Sequence, residues 1–398
     1  MSSAPPEPWR ARSGSYYCGD SFSTPGASTR PRAALWHWPL ALLAGLAHAA
    51  ALAFPGSGTP QWWLQLASLL ALAWLVRPGT PWRRAAGLGW VFATAWLAGT
   101  LWWLFISMHI YGGLASPLAG AAVLALAALL ALYYAVSLGL FSALAHTQRA
   151  LSALIFAALW LLAELARGTW WTGFPWGASG YAHVDGPLAA LARSVGGYGI
   201  AAVAAALAML LAQLRRSDLY RPRAWALVVT VAIALAGLSW QRQQAIATPN
   251  PAATAPLTLA LLQGSIPQDE KFQFGSGIPM ALQWYSDQLR NATQQLVVAP
   301  ETAIAVLPQQ LPPDYLQTIE DQYTSGAQAA LIGIPLGDLR LGYTNSVLGW
   351  QPGQSAPYRY NKQHLVPFGE FIPPFFRWFT DLMNIPLGDF SRGALVQP

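Results

Sequence analysis

Charge is scarce in this chain. Of 398 residues only 10% are Asp, Glu, Lys or Arg, while 54% are hydrophobic. Soluble domains carry about 25% charged residues, so ordinary water-soluble make-up is excluded and a membrane protein is implied. Cysteine is scarcer still. Cys18 stands alone, which excludes an intramolecular disulfide and leaves the redox compartment unread. The histidines (His37, His48, His109, His146, His183, His364) are scattered without metal-ligand spacing. No metal and no cofactor are therefore expected. Lysine is nearly missing too: only Lys271 and Lys362 accompany twenty arginines.

The basic balance, +6 overall, does not point to nucleic acid. Fifteen Arg and five acids precede residue 249, whereas five Arg, two Lys and eleven acids follow it. The excess belongs to the apolar half. Runs of near-spanning length recur there at about 34–54, 59–76, 86–109, 117–144, 150–166, 195–214 and 223–240. Arginines alternate between their connections. Arg10, Arg12, Arg30 and Arg32 mark the N-terminal tail; Arg77, Arg83 and Arg84 the second connection; Arg149 the fourth; Arg215, Arg216, Arg221 and Arg223 the sixth. "PGSGTP" and "YGGLASP" between them carry none, and the longer fifth connection has Arg167 and Arg193 near its ends. The positive-inside rule then predicts seven spans from an inside N-terminus, with everything after Trp240 outside. The expected organisation is a disordered tail over 1–32, rich in Pro, Ser and Gly, a membrane domain over 33–241 and a second domain over 257–398. The tail does not read as a secretory signal, because the apolar run after it is too long and lacks a small-residue cleavage site.

One membrane stretch stands apart. "ELARGTWWTGFPWGASGYAHVDGPL" (164–188) puts Glu164 and Arg167 three residues apart at a helix end, followed by Trp170, Trp171, Phe174, Pro175 and Trp176. An intramembrane carboxylate is costly and usually paired, so an intrahelical Glu164–Arg167 pair is expected. The aromatic cluster fits an interfacial belt and equally a lip through which lipid reaches a site.

Beyond residue 257 the texture changes. "LTLALLQGSIPQ", "QQLVVAPETAIAV", "AQAALIGIPLGD", "GYTNSVLGWQP" and "PYRYNKQHLVPFGE" read as strands, with helices over 277–294 and 312–326. Strands alternating with helices imply an α/β layered domain. Glu301 and Lys362 both fall at strand ends, where catalytic groups often sit. Lys is a compact cation whose pKa can be moved, unlike Arg. A carboxylate and a lysine converging there could act as general base and oxyanion support, or could be a simple salt bridge. His364, close by, reads as a strand residue pointing away, and "NAT" at Asn291 as a chance sequon.

Together, "LLQGSIPQ", "VVAPETAI", "LIGIP", "YTNSV" and "YNKQHLVPFGEFIP" resemble the carbon–nitrogen hydrolase (nitrilase) superfamily. The many-span half with "TGFPWGASGY" makes the resemblance specific to its membrane members, the apolipoprotein N-acyltransferases of Gram-negative bacteria. It covers the chain from about residue 35 onward. It implies a multi-span α-helical membrane domain plus an α/β nitrilase-like αββα sandwich, incomplete here, on the periplasmic side of the inner membrane. The implied reaction moves an acyl chain from a phospholipid donor to a cysteine thiol, as a thioester. It then moves to the amine of an apolipoprotein's diacylglyceryl-cysteine. Glu301 is implied as general base, Lys362 as oxyanion partner and Glu370 as a further acid of the site. Trp176 and His109 are candidates for lining the lipid site, as is Phe272, where the family usually has Trp. A monomer is expected.

The resemblance also sets an expectation about what the 398 residues lack. The family nucleophile is a cysteine some tens of residues after the lysine, in a strand ending "C-Y-E", followed by a last membrane helix. Cys18 lies in the tail placed inside, on the wrong face. The chain is thus expected to be C-terminally truncated, poorly stable and inactive as written. Two alternatives stay open: a catalytically dead lipid- or lipoprotein-binding membrane protein, and a membrane-tethered amidase.

Overall fold

A computed structural model describes residues 35–247, 256–367, 369–372 and 390–397. Cys18 and the tail reading lie outside the described residues. Apolar helices come first: α1 (His37–Leu52), α2 (Trp62–Leu75), α3 (Trp82–Thr100), α4 (Trp103–Ile106), α5 (Ser116–Leu130), α6 (Leu132–Leu144), α7 (Arg149–Thr169), α8 (Ala192–Ala212) and α9 (Pro222–Ala247). Among the described residues three stretches are long and apolar enough to cross a membrane: Ser116–Leu144, Arg149–Thr169 and Pro187–Ala212. Trp82–Thr100 and Trp103–Tyr111 make a fourth if taken together, bent by 52°. That bend interrupts the run read as one span over 86–109. It passes into a π-helical turn over Ser107–Tyr111, a geometry that commonly marks functional positions. His37–Leu52, Trp62–Leu75 and Val228–Gln241 are shorter apolar helical stretches.

These helices pack through small residues and interlocked aromatics. Lipid offers no hydrophobic drive between helices, so close backbone approach and dispersion do the work. Gly45 on α1 shows the need. A Cβ there would lie 2.2 Å from the Phe92 carbonyl oxygen on α3. Trp96, Trp160, Phe92, Phe156 and Tyr134 fill the centre, all fully buried. Trp96 and Trp160 stack at 5.9 Å between ring centroids.

The second body is one five-stranded sheet in sequence order: β1 (Leu259–Leu261), β2 (Leu296–Val298), β3 (Ala329–Asp338), β4 (Gly342–Trp350) and β5 (Tyr358–Asn361). β1–β2–β3 run parallel, while β3–β4 and β4–β5 are antiparallel. Parallel neighbours need crossovers, and two helices supply them: α10 (Gly277–Asn291) and α11 (Tyr315–Ser325). Both end close to where their patterning predicts. Alternation divides the long strands into two faces. Ala330, Ile332, Ile334 and Leu336 on β3, with Leu348 and Trp350 on β4, face Tyr285, Leu289, Ile319 and Tyr323 of the two helices. Gly333, Pro335 and Asn345 belong to the opposite face. β1 is only three residues long. The apolar texture around it continues as irregular chain through Gly264 and Pro267.

Candidate active site at the strand ends

The opposite sheet face carries the chemistry. Ser346 pairs with Asn361 across β4 and β5, and the Lys362 backbone N–H donates to the Asn345 carbonyl at 2.7 Å. That register sets the Lys362 and Asn345 side chains next to each other. Glu301 arrives from another direction. After β2 the chain turns over Pro300–Ala303, with the Ala303 N–H donating to the Pro300 carbonyl at 3.1 Å and Thr302 at φ +47°. This turn lies directly on Gly333 of β3. A Cβ at Gly333 would meet the Pro300 carbonyl oxygen at 2.3 Å and the Glu301 Cα at 2.7 Å. Only glycine lets the turn seat there.

Glu370 is delivered by the turn that follows the lysine. The Glu370 N–H donates to the Val366 carbonyl at 2.9 Å, and the Val366 N–H donates back to Glu370 Oε2 at 2.7 Å. The three predicted residues meet at one point. Lys362 Nζ lies 3.1 Å from Glu301 Oε1 and 2.9 Å from Glu370 Oε2. The two carboxylates differ in setting: the Glu301 side chain is 57% exposed and that of Glu370 is 9%.

Two further residues complete the cluster, and neither was expected there. Asn345, 5% exposed, donates from Nδ2 to Glu301 Oε1 and to Glu370 Oε1 at 2.5 Å. Its only sequence trace is the "YTNSV" string, which assigns it no role. Lys271 donates from Nζ to Thr302 Oγ1 at 2.8 Å. Its signal was available: it shares its rarity with Lys362. Lys271 also lies over the Phe272 ring, 5.7 Å from the centroid.

The electrostatics of the cluster favour the charged forms of Glu301 and Lys362. Partial burial, the largest influence on Glu301, acts to raise its pKa. Hydrogen bonds from Lys362 and Asn345, with the Lys362 charge, outweigh it and hold the carboxyl below its ordinary range. Burial likewise acts to lower Lys362, but hydrogen bonds and charges from Glu370 and Glu301 leave it above the ordinary lysine range. Lys271 goes the other way: burial lowers it and the Glu301 charge only partly compensates. An ionised carboxylate thus stands beside one firmly charged lysine and one whose charge is disfavoured. Among the described residues no cluster of His, Cys, Asp and Glu could hold a metal.

Trp176 and His109 belong to the helical body. Trp176 packs edge-on to Trp103 at 6.0 Å and to Phe174 at 4.8 Å. His109 sits in the π-helical turn, its Nδ1 2.7 Å from the Leu114 carbonyl oxygen. Neither side chain hydrogen-bonds the Glu301–Lys362 cluster among the described residues. Glu164 and Arg167 do pair, at 3.4 Å and fully buried, but the pair is part of a larger network. Arg167 Nη1 donates to the carbonyls of Phe174 at 2.6 Å and Trp176 at 2.8 Å. Glu164 Oε1 accepts from the Ser179 N–H at 3.2 Å and from its hydroxyl at 2.7 Å. The network ties the aromatic segment to α7.

An apolar helical bundle joined to an α/β sheet with a Glu–Lys–Glu cluster at its strand ends defines a class: a membrane protein with a nitrilase-like domain. Comparison with known proteins gives the family. The family model of the apolipoprotein N-acyltransferase N-terminal domain matches residues 44–210. Apolipoprotein N-acyltransferase of Verminephrobacter eiseniae is 61% identical over 371 residues, covering 91% of this chain and 69% of the relative. That of Ralstonia nicotianae is 44% identical over 363 residues, covering 90% and 67%. That of Bordetella bronchiseptica is 39% identical over 402 residues, covering 91% and 72%. The chain belongs to the apolipoprotein N-acyltransferase family, and is by family an acyltransferase of bacterial membranes.

Proposed function

We propose that Glu301, Lys362 and Glu370 are the protein-borne acid–base and electrostatic groups of a phospholipid-to-apolipoprotein N-acyl transfer. In the first step Glu301 takes the proton of a cysteine thiol, which attacks the ester carbonyl of a phospholipid. Lys362 and neighbouring donors stabilise the tetrahedral oxyanion, and the lysophospholipid alkoxide leaves with a proton. In the second step the amine of an apolipoprotein's diacylglyceryl-cysteine attacks the thioester. An amide forms, the thiol is released, and Glu301 handles the amine proton. Asn345 holds the two carboxylates in place. Phe272, Trp176 and His109 line the route of the acyl chains. The membrane domain spans 33–241 seven times in the inner membrane, and a monomer presents 257–398 to the periplasm, where both lipid substrates arrive laterally.

The observation that carries this reading is the convergence of Lys362 on Glu301 and Glu370 within 3.1 Å, from turns 61 and 8 residues away. The reaction also needs a thiol at Glu301. Cys18 is the one cysteine in these 398 residues, and it belongs to the tail assigned to the other side of the membrane. The 398-residue polypeptide by itself is therefore expected to form no acyl-enzyme.

The test uses an alkyne-tagged phospholipid in detergent micelles. The 398-residue chain should give no hydroxylamine-labile label. The same chain extended by the C-terminal part of the Verminephrobacter relative should give it, and Glu301→Gln in that fusion should lower labelling by a factor of about 100 or more. A thioester on the 398-residue chain, or full labelling in Glu301→Gln, defeats the proposal.

A further inference from the structure

Four arginines from three connections meet at one end of the helical bundle. Arg77 and Arg84 flank the α2–α3 connection, Arg149 opens α7, and Arg215 follows α8. With His37 and His146 they line a cavity of about 580 Å³. Among the described residues no carboxylate is in that lining. Asp218 neutralises Arg149 from behind, at 2.6 Å. Arg77 spends its Nε on the Trp74 carbonyl at 3.0 Å and lays its guanidinium over the Trp74 ring at 4.7 Å. Arg84 Nη2 lies 2.5 Å from His37 Nδ1, while its Nε is buried without a partner. Among the described residues no acid pairs with Arg77 or Arg84.

A positive-inside bias accounts for basic loops. It does not account for loops folding together around one cavity whose described lining holds no acid. Nor does it account for what adjoins the cavity. A second groove, of about 440 Å³, shares Trp74, Arg77 and Leu214 with the first and is otherwise lined by apolar residues such as Leu40, Leu70, Ala71 and Leu211 of α1, α2 and α8. A basic cavity adjoining an apolar groove between helices offers the two polarities of a phospholipid with an anionic headgroup. Cavities of this kind bind such lipids through guanidinium–phosphate pairing.

We infer that this end of the bundle is a binding site for an anionic phospholipid, its headgroup phosphate between Arg77 and Arg84 and one acyl chain along α2 and α8. The site is separate from the Glu301–Lys362 cluster and requires none of its residues.

The experiment uses the full 398-residue chain, delipidated and placed in nanodiscs or detergent. Native mass spectrometry and thermal unfolding are read with phosphatidylglycerol, phosphatidylcholine or inorganic phosphate added. Phosphatidylglycerol should be retained and should raise the unfolding midpoint; phosphatidylcholine should do neither. Arg77→Gln and Arg84→Gln should each weaken retention about fivefold. Arg83→Gln removes the same charge from a neighbouring side chain outside the cavity lining and should leave retention unchanged. Ala71→Phe keeps every charge but fills the groove, and should weaken lipid retention. Equal loss in Arg83→Gln and Arg84→Gln would mean a diffuse basic surface and overturn the site. A full effect from inorganic phosphate alone, untouched by Ala71→Phe, would overturn the lipid assignment.

Discussion

Lys362 holds two carboxylates of unequal surroundings, and that inequality predicts what its loss does. The exposed Glu301–Lys362 pair is worth about 0–1 kcal/mol. Glu370 is buried, and among the described residues it keeps Asn345 and the Val366 N–H as side-chain donors without Lys362. Lys362→Met is expected to cost about 1–3 kcal/mol, read as thermal unfolding of the detergent-solubilised protein; unchanged stability at neutral pH would refute it. The pH dependence has two limbs. Glu301 sits below its ordinary range, so its contribution is full above the unfolded carboxyl's pKa and fades as pH falls through the folded one. Lys362 sits above its ordinary range, so its contribution is full below the unfolded amine's pKa and is lost as pH rises through the folded one. Lys362→Met should shrink both limbs. Of this site, Glu301, Lys362 and Glu370 were legible because each sits in a distinctive string. Asn345 was not, since an amide in a strand carries no local mark of what it will face.

At the scale of elements, Arg167 shows how one side chain holds a segment. It caps the carbonyls of Phe174 and Trp176 and pairs with Glu164, which in turn holds Ser179. Arg167→Met would leave a buried carboxylate without its cation and two carbonyls without this donor. A loss of about 3–5 kcal/mol is expected, together with new proteolytic cleavage within 170–178. Glu164→Gln can keep a Ser179 contact and should cost less. Equal cost for the two variants would show the pair, not the segment, to be the point. The i,i+3 spacing already announced the pair. Its reach to residues seven and nine positions on depended on how the chain folds back after the strained Trp171, at φ +57°. The sheet was legible in the same partial way. β3 and β4 follow their alternation, whereas β1 is cut to three residues by pairing with an equally short β2.

For the whole molecule, the seven-span proposal puts the α6–α7 connection and the sheet domain on opposite sides of the membrane. Starting from Cys18→Ser, Gln351→Cys at the end of β4 should react with an impermeant maleimide in intact spheroplasts. Thr147→Cys should react only after permeabilisation. Both positions reacting together would sink the arrangement. Helices of 16 and 14 residues, α1 and α2, reach about 24 and 21 Å at 1.5 Å per residue. They fall short of a hydrocarbon core of about 30 Å, so flanking residues must complete those crossings.

Composition and periodicity alone determined the division of this chain into an apolar helical half and an α/β half, because both follow from local patterns of side-chain polarity. They also put Glu301 and Lys362 at strand ends, while Glu370 and the catalytic roles were legible only through the family resemblance of the strings that carry them. What only the tertiary structure decided is convergence. Gly333 admits the Glu301 turn, the β4–β5 register sets Lys362 beside Asn345, and three separate connections bring arginines around one cavity. Each depends on contacts between residues distant in sequence, and no local pattern specifies which distant partner a side chain will meet.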